Sequence, residues 1–200
     1  FENSILINES IGNIKDNALS LKYIGYAYSD VANFDEALIH YNKALKINKE
    51  YDDKPDIASV LINLGILYAD RTNSTTTALK YYNESLVVAE EAKDSLGMLK
   101  ALNNLGNIYQ LNESNDKAIE KFERSLAIQK NIGNNSYIGV TLNNLGNIYK
   151  RQGKNEKALA YLTDALERSR ELNNKGLESA ILNNLGGVYR ALGDYTQAGK

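Results

Sequence analysis

The sequence predicts an all-α protein, a solenoid of antiparallel helix pairs, on three observations. First, the octapeptide Leu102-Asn103-Asn104-Leu105-Gly106-Asn107-Ile108-Tyr109 returns as Leu142-Asn143-Asn144-Leu145-Gly146-Asn147-Ile148-Tyr149 and again as Leu182-Asn183-Asn184-Leu185-Gly186-Gly187-Val188-Tyr189. More divergent copies are Leu61-Ile62-Asn63-Leu64-Gly65-Ile66-Leu67-Tyr68 and Leu21-Lys22-Tyr23-Ile24-Gly25-Tyr26-Ala27-Tyr28. Second, the glycines at 25, 65, 106, 146 and 186 are spaced by 40, 41, 40 and 40 residues. A fixed period of this size marks a stacked repeat architecture. Third, each period reads as two helices, with apolar residues at the spacings of three and four that fall on one helix side.

The elements follow in order. Phe1-Glu2-Asn3-Ser4-Ile5 aligns with Phe122-Glu123-Arg124-Ser125-Leu126, so residues 1–13 read as the remnant of a second helix. Full repeats are expected over 17–50, 56–93, 95–133 and 136–174, with an incomplete one over 177–200, all in a single array over 1–200. Pro55 stands at the start of a first helix, where a missing N–H costs nothing. One extra residue within 72–77 accounts for the step of 41. In the third repeat the first helix runs from Ser95 to about Leu111, with Leu102, Leu105 and Tyr109 on its buried side and Gly106 beside them. Ser114 or Asn115 is placed to cap the second helix, which runs over 116–131 and ends at Gly133-Asn134-Asn135. The fourth repeat has Gly153 in its inner turn and Asn173-Asn174-Lys175-Gly176 after its second helix.

A glycine inside a helix costs about 1 kcal/mol against alanine. Its return at one register therefore predicts a close approach. Ala37, Ala78, Ala118, Ala158 and Ala198 are expected opposite these glycines, with Phe1, Tyr41, Tyr82, Phe122 and Leu162 filling the space between successive pairs.

Leu-x2-Leu-Gly-x2-Tyr followed by Ala-x3-aromatic resembles the tetratricopeptide repeat over nearly the whole chain. Leucine stands where that family usually has tryptophan (Leu21, Leu61, Leu102, Leu142 and Leu182), the closing proline is missing, and the period is 40 rather than 34. The longer period resembles the sub-group found in kinesin light chain and Pins-type spindle-orientation scaffolds, and the sensory arrays of some bacterial two-component kinases. The resemblance implies a right-handed superhelix whose first helices line a concave groove. It also implies a protein or peptide partner.

On the first helices the side opposite the leucines is rich in asparagine. Asn63, Asn104, Asn144 and Asn184 form a ladder, with Asn103, Asn143, Asn183, Asn107 and Asn147 alongside. A carboxamide donates and accepts, so it can bond an extended peptide backbone without reading its side chains. Asparagine is a mediocre helix former that Lys, Glu or Gln would outperform, and such departures from local preference mark function. The competing reading is a polar residue on a solvated face, or one bonded between repeats. One turn past the glycines the charge changes from Asp30 and Asp70 to Lys150, Arg151 and Arg190; this either places the acidic part of a peptide near the later repeats or is ordinary solvated charge. Tyr28 reads as core, whereas Tyr23 and Tyr26 point toward the groove.

Composition narrows the alternatives. A net charge of −2 leaves no basic footprint for nucleic acid or for an acidic membrane. The absence of cysteine excludes disulfides and thiolate metal sites. No apolar run is long enough to span a bilayer. His40 is the only histidine, without a metal-binding or catalytic constellation, and reads as a surface or interface residue. Gly-Asn-Ile-Tyr lies mid-helix, where it cannot cradle phosphate. No metal, cofactor or enzymatic activity is expected. Two functions remain. One is an interaction module that grips an extended peptide. The other is a structural or regulatory array of a signalling protein, or a scaffold that associates with itself through open repeat ends. Cytoplasmic location is the default, and the periplasm fits a bacterial sensor.

Overall fold

The structure is a computed structural model that describes residues 14–72, 74–133 and 137–199. Its helices are α1 (Ile14–Asp30), α2 (Phe34–Glu50), α3 (Lys54–Thr72), α4 (Thr75–Glu91), α5 (Ser95–Leu111), α6 (Asn115–Asn131), α7 (Ile138–Arg151), α8 (Asn155–Glu171), α9 (Lys175–Ala191) and the single turn α10 (Tyr195–Ala198). The fold is all-α, with helices in successive antiparallel pairs, and the described residues contain no strand. The expected remnant over 1–13, Phe1 included, lies outside the described residues, as do Asn134 and Asn135. The chain divides into two compact units, Phe1–Leu105 and Gly106–Lys200, with the boundary inside α5.

The glycine register explains the pairing. A Cβ on Gly106 would stand 2.6 Å from Cε1 of Phe122, and one on Gly146 would stand 2.6 Å from Cγ of Leu162. Gly25 meets the ring of Tyr41 in the same way, and Gly65 that of Tyr82. Each of these large residues covers the glycine of its own pair. Tyr41 and Phe122 also cluster with leucines of the following pair's first helix, Leu64 and Leu67 for one and Leu142 and Leu145 for the other. Ala37, Ala78, Ala118 and Ala158, one turn earlier, are fully buried. Their small size lets backbone approach as well: a Cβ on Gly146 would stand 3.4 Å from the Ala158 carbonyl oxygen. A Cβ on Gly186 would stand at the same distance from the Ala198 carbonyl oxygen, though the Ala198 side chain is only half-buried.

Each unit has its own core. In the first, Leu21, Tyr41, Val60, Leu64 and Leu67 cluster around Ala37 and Ala44. In the second, Phe122, Leu142, Leu145, Ile148, Leu162, Ile181 and Leu185 cluster around Ala118, Ala158 and Ala165. Polar contacts set register both between neighbouring pairs and within a pair. Gln129, fully buried, donates to Ser125 Oγ at 2.9 Å and to Thr141 Oγ1 at 3.0 Å, tying α6 to α7. Ser85 donates to the Ala58 carbonyl at 2.9 Å, tying α4 to α3.

The turns share one construction. After α1 the Asn33 N–H bonds the Tyr28 carbonyl at 2.8 Å and the Ala32 N–H bonds that of Ser29 at 3.0 Å. After α7 the Lys154 and Gly153 amides do the same to Tyr149 and Lys150. This is the Schellman closure, which needs a left-handed residue. Gly153 supplies it at φ 71°, as Gly133 does at φ 66° after α6, but Ala32, Asp52, Lys93, Glu113 and Asn173 adopt the same conformation elsewhere. Ser114 does occupy the N-cap of α6, yet its side chain makes no cap bond. Lys154, at the equivalent place before α8, has no cap oxygen to offer. The closed turn, not a capping side chain, starts these helices. Asn174 does cap α9, accepting from the Leu177 N–H at 3.0 Å.

Two outcomes follow from this packing. Gly106→Ala gains helix propensity but drives a methyl into Phe122, and overpacking of this kind costs about 1–3 kcal/mol. Its urea midpoint should fall, whereas Gly176→Ala, whose added methyl meets only Asn174 Oδ1 at 3.7 Å, should not. Burial, and next the charge of Tyr26, push the Tyr41 hydroxyl up to about 12. The folded state holds that proton more tightly than the unfolded chain, so its contribution to stability is intact below pH 10 and lost as pH rises toward 12. Urea melts between pH 9 and 12 should fall more steeply for the wild type than for Tyr41→Phe.

Candidate functional site

The first helices of the pairs carry the candidate face. In α7, Leu142, Leu145, Gly146, Ile148 and Tyr149 are buried. At 100° per residue this leaves Asn143, Asn144, Asn147 and Lys150 on the other side, and all four are half-buried. On α9, Ile181, Leu185 and Val188 take the buried side, leaving Asn183 and Arg190 exposed and Asn184 half-buried.

In the second unit these side chains are joined across helices. Asn144 Nδ2 donates to Asn107 Oδ1 at 3.2 Å, linking α7 to α5. Asn184 Nδ2 donates to Asn143 Oδ1 at 3.0 Å, linking α9 to α7. Lys150 Nζ donates to Asn184 Oδ1 at 2.6 Å. The amides thus bond one another, as the competing sequence reading allowed. A carboxamide has two N–H groups and two lone pairs. Even Asn184, which uses one of each in these bonds, has the capacity for a further donor and acceptor contact.

The three basic residues at the late end are disposed differently. Arg151 turns to Glu113, its Nη2 3.8 Å from Oε1. Lys150 and Arg190 converge over Gly187. Lys150 Nζ is 3.8 Å, and Arg190 Nη2 3.9 Å, from where a Gly187 Cβ would stand. Burial, and next the positive charge of Arg190, push the Lys150 ammonium below its ordinary value.

The first unit presents a different surface. Asn63 on α3 and Asn103 and Asn104 on α5 are half-buried. Tyr23 and Tyr26 on α1 and Ile66 on α3 are exposed, and so are Asp30 and Asp70. Lys22 is drawn to Asp56, 2.5 Å away. The aromatic, apolar and acidic character belongs to this unit, the amide-bonded and basic character to the other.

Sequence reasoning missed the tyrosine stacks inside the pairs. Tyr28 lies over His40 with ring centroids 5.5 Å apart, Tyr68 over Tyr81 at 5.5 Å, and Tyr149 over Tyr161 at 5.4 Å. The signal was available: a ring three residues past each glycine and a second twelve or thirteen residues on. His40 is therefore an interface residue within its helix pair. Among the described residues, no group of three or more His, Asp or Glu could hold a metal ion, and no helix is long and apolar enough to cross a membrane.

Comparison with known proteins gives the following. A family model described as tetratricopeptide repeat matches residues 16–91, 71–131, 97–171 and 137–200. No curated protein sequence matches. Among solved structures, BtubC (BKLC) from P. vanneervenii is similar with a TM-score of 0.85 and 21% identity, covering 99% of this chain and 82% of that one. The nearly identical repeats of a putative kinesin light chain from Podosopora anserina give 0.72 and 16%, covering 92% and 91%. A Rap protein complexed with Competence and Sporulation Factor gives 0.72 and 16%, covering 96% of this chain and 55% of the Rap chain. The chain thus spans about half of that Rap protein. At these identities the likeness is one of fold. The kinesin light chain neighbour agrees with the resemblance drawn from the 40-residue period.

The amide bonds make a measurable claim about stability. Asn144→Ala removes one hydrogen bond worth about 1 kcal/mol. It also replaces a poor helix former with the best one, a gain of about 0.6 kcal/mol. The two effects nearly cancel, so its urea midpoint should stay close to that of the wild type. A loss above about 2 kcal/mol, beyond what one such bond supplies, would make the amide a structural pillar instead.

Proposed function

This chain belongs to the tetratricopeptide-repeat family, and on that premise we propose that it is a protein–protein interaction module that holds an extended peptide or partner segment on the asparagine face of its first helices. The family fold supports the coarser part of this reading, since stacked helical repeats are generally non-catalytic scaffolds that bind partners over an extended surface. The Rap neighbour is itself described in complex with a factor.

One observation carries the finer part. In the second unit, hydrogen bonds between side chains orient Asn107, Asn143, Asn144 and Asn184 across three helices. Amides held this way lose little rotamer freedom when a peptide arrives, and preorganisation of that kind lowers the cost of binding. Asn147 and Asn183 add two more amides on the same helices. In the first unit Asn63, Asn103 and Asn104 carry the same chemical group. A backbone-directed grip favours partners defined by extended conformation more than by side-chain sequence.

The same hydrogen bonds favour a second reading. In it the asparagines stitch successive repeats together, and the array transmits conformational change or assembles without a peptide ligand.

A peptide-display selection against the chain separates the two. On the first reading, extended binders emerge, and their affinity falls by about tenfold or more in Asn144→Ala/Asn147→Ala/Asn184→Ala, since each lost hydrogen bond is worth about 1 kcal/mol. Binders that are indifferent to the triple substitution, measured by fluorescence anisotropy, would reject the asparagine face as the site.

A further inference from the structure

The amide ladder gives out at the first repeat. Tyr23 and Tyr26 stand on α1 at the register where α5 has Asn104 and Asn107 and α7 has Asn144 and Asn147. With Leu19 before them and Asp30 after, they follow at spacings of four, three and four, which makes one stripe along α1. Leu19, Tyr23 and Tyr26 are 44%, 47% and 59% exposed. On α3, Ile66 has the register of Tyr26 and Asp70 that of Asp30, and both are exposed. The two helices are neighbours within the first unit. Lys22 of α1 lies over the Tyr23 ring, 5.9 Å from its centroid, and closes on Asp56 of α3. The lysines of α1 and α3 are engaged by other acids, Lys15 by Asp53, Lys22 by Asp56 and Lys54 by Glu91, so none of them neutralises Asp30 or Asp70. Core rings reach this side from beneath. Burial first, and next Tyr26 for one and Asp70 for the other, raise the Tyr41 and Tyr82 hydroxyls above the usual phenol range.

We propose that this side of α1 and α3 docks an extended partner segment of the pattern apolar-x-apolar-x-Arg, its apolar side chains on Leu19, Tyr23, Tyr26 and Ile66 and its arginine at Asp30 and Asp70. This rests on the interaction-module reading above and names the partner chemistry at the first unit. The patch is apolar surface left in water, where a partner gains by covering it. Its ends differ in charge, which sets the direction of the segment. Steps of three or four residues along a helix advance about 5–6 Å. Alternate side chains of an extended chain stand on one side about 6–7 Å apart. A segment laid along α1 therefore keeps step with the stripe. Arginine fits the acidic end better than lysine. Its planar fork offers hydrogen bonds to both carboxylates, and its face stacks on a tyrosine ring. An acidic residue at that place would meet two like charges and be rejected.

Fluorescent, end-blocked peptides built on Leu-Ser-Leu-Ser-Arg test the surface. Four companions differ only in having Lys, Gln or Glu in place of Arg, or Ser in place of both Leu. Binding to the full chain is read by anisotropy at low and high salt. The Arg peptide should bind about fivefold tighter than the Gln peptide, the size expected for exposed ion pairs, and salt should narrow the difference. Loss of both leucines should weaken binding by about tenfold or more. Asp30→Asn/Asp70→Asn should bring the Arg-to-Gln ratio close to one. Asp30→Lys/Asp70→Lys should reverse the order, with the Glu peptide tighter than the Arg peptide, an inversion that loss of fold does not produce. A ratio of one in the wild type, or one that survives the asparagine substitutions, overturns the proposal. Equal binding of the Lys and Arg peptides overturns the assignment to arginine.

If none of the five peptides binds, this docking surface is overturned, whereas the module reading is judged separately by whether display-selected binders depend on Asn144, Asn147 and Asn184. Sedimentation of the free chain over a range of concentrations decides against a second copy as the occupant. Association that appears in the wild type and vanishes in Tyr23→Ser/Tyr26→Ser would give the surface to another copy of this chain and overturn the peptide partner. Sedimentation unchanged by those substitutions, together with weaker binding of the Arg peptide, supports it. Circular dichroism confirms that each variant is folded.

Discussion

A large side chain seated on a glycine is the contact on which the rest of this protein depends. Tyr41, Tyr82, Phe122 and Leu162 each lie over the glycine of their own pair, at distances that no β-carbon could share. This brings the two helices together at one point and fixes their rotation about their axes. Because the glycine side of each first helix must face inward, the residues two or three before it, and the one after it, must face outward. The asparagines of the candidate face occupy these positions. Their presentation is thus a by-product of the packing, and the chemistry of the face can vary from repeat to repeat while the core stays constant.

The face does vary. Over the second unit it is a bonded set of amides that ends in two cations around Gly187. Over the first it exposes Tyr23, Tyr26 and Ile66 together with aspartates. Asparagine is a costly choice for a helix interior. The hydrogen bonds from Asn144 to Asn107 and from Asn184 to Asn143 offset some of that cost and also hold the amides in place. The two roles, joining repeats and presenting polar groups, reside in the same atoms.

Much of this was legible in the amino-acid order. The expected first helix of the third repeat, from Ser95 to Leu111, matches α5, and the second, over 116–131, differs from α6 by one residue. Periodicity fixes helices well, because every core leucine votes for the same side. Contacts were harder to read. The expected partners of the register glycines were the alanines, because small residues suggest close approach. The ring one turn later is the true neighbour, since a side chain extends well beyond its own Cα. Turn chemistry misled in another way. Ala32, Lys93 and Glu113 take the left-handed conformation usually left to glycine. The closed hydrogen-bonded turn holds them there, and nothing in their identity announces it. At Ser114 the capping position was right, but the hydroxyl makes no cap bond. Gln129 falls within the helix expected over 116–131, but its network was not legible, because burial of an amide depends on a threonine twelve residues away. Convergence of Lys150 and Arg190 on Gly187 has a similar origin, in residues 37 and 40 apart.

The stacked rings inside the pairs have a spectroscopic consequence. The chain contains no tryptophan, so its near-ultraviolet absorption comes almost wholly from tyrosine. Tyr68 with Tyr81 belongs to the first unit and Tyr149 with Tyr161 to the second, each held nearly parallel at about 5.5 Å. Two such couples, fixed in chiral surroundings, give each unit an internal optical label, and phenylalanine at either couple would remove that couple's contribution while the other continued to report.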